Sequence, residues 1–78
     1  MSETARLKWK CRRGMKELDL LLERYLAERY PAVDAAEQGA FRELLDMQDP
    51  ELFAFVTGRE RPATEELRRV VDALRRTS

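Results

Sequence analysis

The sequence predicts an all-α protein, a small bundle of five short helices, and three observations point there. Proline and glycine punctuate the chain at intervals that suit short helices; apolar residues recur at i, i+3 and i+4 between the breaks; and no stretch alternates with a strand's period of two for long. At 78 residues the chain reads as one domain, too small for a deep substrate cavity. Its 44% of hydrophobic residues is enough for a core, and its 38% of charged residues predicts a heavily charged skin.

Ser2 is placed to cap a first helix running to about Arg13, with Leu7 and Cys11 one turn apart and Met15 continuing that row. Gly14 breaks it. The second helix, from about Met15 to Arg29, carries Leu18, Leu21, Leu22, Tyr25 and Leu26, a core-facing stripe. Tyr30-Pro31 ends it, because the residue before proline is pushed out of the helical region. Asp34 followed by Glu37 resembles a capping box that opens a third helix with Ala40, Phe41, Leu44 and Leu45 on one side. Gly39 weakens that helix by roughly 1 kcal/mol relative to alanine, and close approach of a neighbouring helix is one reason to tolerate it.

Asp49-Pro50-Glu51 supplies an N-cap residue, a proline at the first helical position and an acid in the first turn. The fourth helix is short, with Leu52, Phe53, Phe55 and Val56, and Gly58 stops it. Thr64 caps the fifth, which carries Leu67, Val70, Val71 and Leu74. Helices this short are expected to pack as an orthogonal bundle with the second and third as its spine. Phe41, Phe53 and Phe55 are expected in the core.

Several function classes are excluded by composition. The chain has no histidine and one cysteine, which removes Cys-His nucleophiles, Ser-His-Asp triads and nearly every zinc site. Cys11 can form no internal disulfide, no apolar run approaches the roughly 18 residues that span a bilayer, and the N-terminus lacks a secretory h-region. A soluble intracellular protein that is not a self-sufficient enzyme is the expectation.

Formal neutrality hides an uneven charge distribution. Residues 1 to 16 hold Arg6, Lys8, Lys10, Arg12, Arg13 and Lys16 against Glu3 alone, whereas residues 17 to 51 hold ten acids against Arg24, Arg29 and Arg42. A basic helix is a footprint for nucleic acid, but the positive charge ends at residue 16 and the acidic middle repels a phosphate backbone. A solvated face and a surface for an acidic partner are the other two readings.

Trp9, the only tryptophan, falls away from the Leu7-Cys11 row, either packed over the bundle's edge or exposed as an anchor. Cys11 reads as a small buried residue, or, if exposed, as a thiol that neighbouring cations activate. In "CRRGMKELD", Arg12 and Arg13 fall in the expected last turn of the first helix and Glu17 in the first turn of the second, where each complements the helix dipole. Gly14 suits a tight joint. Local physics thus explains the stretch as a helix joint, yet the joint also presents bare backbone between Arg13 and Glu17, where another protein's chain could approach closely.

The segments "WKCRRGMKELDLLL", "FRELLDMQDPELFAFVTG" and "PATEELRRVVDALR" resemble, in order and spacing, the succinate dehydrogenase assembly factor family of the SdhE type, over nearly the whole chain. The centre of the resemblance is the family's R-G-x-x-E motif, here Arg13, Gly14 and Glu17, with Trp9 and Cys11 upstream and "D-P-E-L-F" downstream. The resemblance implies a five-helix protein that binds the flavoprotein subunit of succinate dehydrogenase, or of fumarate reductase, and promotes covalent attachment of FAD to a histidine of that client. It implies no cofactor of the chain's own, since the FAD belongs to the client. Arg13, Gly14 and Glu17, with Trp9, Arg12 and Lys16 around them, are the expected partner-binding residues. A bacterial, cytoplasmic monomer with weak self-association through Trp9 fits this picture. Some members also carry an antitoxin label of the CptB type, which leaves an antitoxin-like regulator as the alternative and a small nucleic-acid binder as a third reading.

Overall fold

The computed structural model describes residues 2–76, and its helices follow the punctuation of the sequence closely. Helix α1 spans Glu3–Lys10, α2 Lys16–Glu28, α3 Ala35–Leu45, α4 Asp49–Val56 and α5 Glu65–Arg76, with a 3-10 turn at Tyr30–Ala32. No strand occurs among the described residues. No described helix is long and apolar enough to cross a membrane.

The caps work largely as expected. Ser2 Oγ accepts from the Ala5 amide at 3.2 Å, Asp34 Oδ1 from the Glu37 amide at 2.9 Å, and Thr64 Oγ1 from the Leu67 amide at 3.2 Å. Only the forward half of the capping box forms, because Glu37 does not turn back. Its side chain is buried and accepts the Tyr25 hydroxyl at 2.7 Å. Tyr25 in turn stacks on Phe41 with ring centroids 4.6 Å apart, so α2 and α3 are joined by a polar contact beside an aromatic one. Burial above all, and then the hydrogen bond to the Glu37 carboxylate, raises the pKa of the Tyr25 phenol.

Helix α1 ends at Lys10, three residues before the sequence predicts. The cause lies downstream: the Asp19 carboxylate accepts the backbone amides of Arg13 at 2.9 Å and Gly14 at 3.1 Å, taking two donors that a longer helix would have turned inward. Helix α4 begins one residue early, with Gln48 at the cap position and Pro50 in the first turn. Asp49 therefore does not cap its own helix.

Leu22, Phe41, Leu44, Leu52, Val70, Leu74 and Cys11 form the fully buried centre. The most extensive helix pairing is α3 with α5, and α2, α1 and α4 pack around that pair, so the expected spine of second and third helices is displaced by one partner. The long apolar stripe of α5 explains this, since Leu67, Val70, Val71, Ala73 and Leu74 are all buried. Of the three phenylalanines only Phe41 is central. Phe55 is half-buried and Phe53 is 41% exposed, because a short helix that buries Leu52 turns the next residue outward. Gly39 is not explained by a close neighbour: a Cβ there would meet only the Arg42 guanidinium of its own helix, at 3.6 Å.

Candidate functional site: the joint between α1 and α2

The joint is a short turn, residues 11 to 15, held from three directions. Its floor is Cys11, which is fully buried. Burial, with the Glu23 and Asp19 carboxylates adding and Arg13 opposing, pushes its thiol up to about 11. The cations nearby do not activate it, and of its two readings the structure selects the small buried residue.

Arg13 does not lie in the last turn of α1, as its position in the sequence suggests. Its guanidinium reaches across to the end of α3, where it donates to the Leu45 carbonyl and, at 2.7 Å, to the Met47 carbonyl. The same group meets Asp49 Oδ1 at 2.9 Å in the first turn of α4. Arg13 thus complements the negative end of a helix dipole, but that of α3 rather than of its own helix. Its side chain is only 11% exposed, and Nε is buried without a hydrogen-bond partner. Leaving such a donor unmet costs about 1–3 kcal/mol.

The second hold is Asp19, which fixes the backbone of residues 13 and 14. The third is an exposed pair, Lys10 Nζ to Asp46 Oδ1 at 2.8 Å, which in water contributes about 0–1 kcal/mol. Together these contacts bring the α1–α2 joint and the α3–α4 joint side by side.

On this frame Gly14 adopts φ +81°, a left-handed conformation that glycine takes without a Cβ penalty. No heavy atom lies within 4 Å of where a Cβ would sit, so its open side faces free space. Arg12, Lys16 and Glu17 are exposed around it, and none of the three makes a side-chain hydrogen bond or ion pair among the described residues. Glu17 leaves the loop amides to Asp19. Trp9 is 73% exposed, so its ring is not packed over the bundle's edge. It lies two positions on from buried Leu7, about 200° round the helix, on the outer side of α1.

Of the sequence-derived site residues, Arg12, Gly14, Lys16 and Glu17 are exposed at or beside the joint, Arg13 is largely buried, and Trp9 stands exposed on the helix leading into it. Asp19 and Asp49 are the participants that sequence reasoning missed. An acid five residues after the joint glycine is a signal for Asp19; Asp49 reads as an ordinary cap, and only its tertiary partner shows otherwise. Two clefts, of ≈600 Å³ beside Val56 and Asp72 and ≈470 Å³ between α1 and α2, take no lining from residues 9 to 19. At the joint itself Arg12, Gly14, Lys16 and Glu17 are open to solvent. Among the described residues, no group of three or more metal-ligating side chains is arranged to hold an ion.

Comparison with known proteins agrees with the sequence resemblance. The family described as "Flavinator of succinate dehydrogenase" matches residues 5–78. Similar proteins named FAD assembly factor SdhE occur in Pseudomonas aeruginosa, 44% identical over 90% of this chain and 83% of the relative, and in Methylococcus capsulatus, 44% identical over 96% and 90%. A third, from Coxiella burnetii, is 37% identical over 94% of this chain and 89% of the relative. These names favour the assembly-factor reading over the antitoxin one. With the family match running through nearly its whole length, the chain belongs to the flavinator of succinate dehydrogenase family.

Proposed function

We propose that this chain is an assembly factor that docks on the flavoprotein subunit of succinate dehydrogenase, or of fumarate reductase, and promotes covalent attachment of FAD to that subunit. One observation carries the docking site: Gly14 is held in a left-handed turn with open space on its Cβ side, between exposed Arg12, Lys16 and Glu17. A bare, pre-set backbone with charges of both signs beside it admits a partner's main chain at close range and fixes its register.

The division of labour that the family resemblance implies, with the flavin joined to a histidine of the client, fits a chain that has no histidine of its own. The assembly factor's contribution is to hold the flavin-bearing part of the client in the geometry from which the client completes its own bond, a gain of the kind that orientation provides. Gly14 and Glu17 are the centre of the docking surface, with Arg13 holding them from beneath and Trp9, Arg12 and Lys16 at its margin. The named relatives are bacterial, and we read the protein as acting in the bacterial cytoplasm.

The test is co-expression of the chain with a flavoprotein subunit, followed by flavin fluorescence in a denaturing gel. A several-fold increase in covalent flavin over the subunit alone is expected. No increase overturns the proposal.

A further inference from the structure

We propose that Arg13 and Asp49 form a clasp that positions the docking surface, so that Arg13 acts on the client through Gly14 and Glu17 and does not itself touch the partner. The inference rests on the docking role proposed above and deepens it by assigning a positioning role to Asp49, a residue of α4.

The geometry carries it. Residue 13 is gripped at both ends: its backbone amide donates to Asp19, and its guanidinium donates to Leu45, Met47 and Asp49, which lie 32, 34 and 36 residues further along the chain. The next residue, Gly14, is thereby fixed in its left-handed turn relative to both α2 and α4. A contact residue would present its guanidinium outward, whereas this one is 11% exposed with both Nη atoms committed internally. Stability alone is a poor reason for the arrangement. Burying the guanidinium with Nε unpartnered is costly, and Asp49, 45% exposed, offsets that cost only in part. What the guanidinium provides is directionality, since only a planar fork ties two carbonyls and a carboxylate from one point.

The experiment is a double-mutant cycle on the full chain, Arg13→Lys, Asp49→Asn and the double variant, with affinity for the purified flavoprotein subunit of succinate dehydrogenase measured by calorimetry. Circular dichroism sets a temperature at which every variant is folded. Each single variant is expected to raise Kd about tenfold, with no further rise in the double variant, because both break the same clasp. Amide exchange at residues 14 to 17 of the free variants is expected to accelerate. Three results overturn the clasp: Asp49→Asn binding as tightly as the unmodified chain, additive losses in the double variant, or lowered melting temperatures with affinity unchanged. If the unmodified chain itself fails to bind the subunit, the docking role falls and the clasp's function falls with it, a result distinct from the other three.

Discussion

Replacing Gly14 separates the cost of the turn from the cost of blocking the surface. A Cβ at this position meets no atom within 4 Å, so alanine introduces no clash, and its penalty comes from φ +81° alone. That conformation costs an ordinary L residue roughly 1–2 kcal/mol, and asparagine less, because asparagine visits the left-handed region more readily. For a domain this small, a change of about 1 kcal/mol moves the melting temperature by about 4–8 °C. Starting from about 5 kcal/mol of stability, the alanine variant keeps the folded form in excess by roughly a hundredfold or more. Unfolding then removes on the order of 1% of the protein, and any larger loss of client flavinylation has another cause. Steric blocking predicts opposite rankings for two assays. Thermal melts should order the variants Gly14, Gly14→Asn, Gly14→Ala, whereas covalent flavin on a co-expressed client should order them Gly14, Gly14→Ala, Gly14→Asn, since the asparagine side chain projects further into the open side. Flavinylation that follows the melting order refutes the reasoning and makes the turn purely structural.

Two further outcomes follow from the joint and its floor. Glu17→Ala removes an exposed carboxylate whose one structural role is to complement the α2 dipole, so stability should fall by no more than about 1 kcal/mol, while client flavinylation falls several-fold. A melt that drops steeply in that variant would place Glu17 in the fold rather than at the interface. Cys11 makes the stability pH-dependent at the alkaline end. Its pKa stands at about 11 against an ordinary 9.0, so the folded state holds the proton more tightly than the unfolded one. The associated stabilisation, on the order of 2–3 kcal/mol, is complete below pH 9 and is lost as pH rises toward 11. The raised phenol of Tyr25 steepens the loss above about pH 10. Urea midpoints should be flat from pH 7 to 8.5 and fall above pH 9, and Cys11→Ala should flatten the portion between pH 9 and 10.

The parts of this fold that were legible in the sequence are those governed by neighbours in the chain. Ser2, Asp34 and Thr64 cap where a short polar side chain precedes an apolar stripe, and Gly58 ends α4 at φ +82°. The apolar rows of α2 and α5 turn inward as their spacing requires. What was not legible depends on contacts between distant segments. Arg13 looks like a cation completing its own helix, and its true partners lie more than thirty residues away. Asp49 looks like a cap for the same reason. Phe53 shows the limit of composition, since a large apolar side chain on a two-turn helix is placed by which neighbour is buried first.

Gly14 and Glu17 were recognisable at the surface because the glycine marks the turn and the acid begins the next helix. The depth of Arg13 beneath them was not, for burial of a guanidinium requires acceptors that only the folded chain assembles. The resemblance supplied the motif as three letters, and the coordinates divide it into two exposed members and one internal one.

The docking surface is tested most directly by hydrogen exchange on the chain, free and in complex with the flavoprotein subunit. Amides of residues 12 to 17 should become protected on binding, with the adjoining turn of α1 around Trp9 following, while the outer face of α5 exchanges as before. Protection centred on α5, with residues 12 to 17 unchanged, would contradict it.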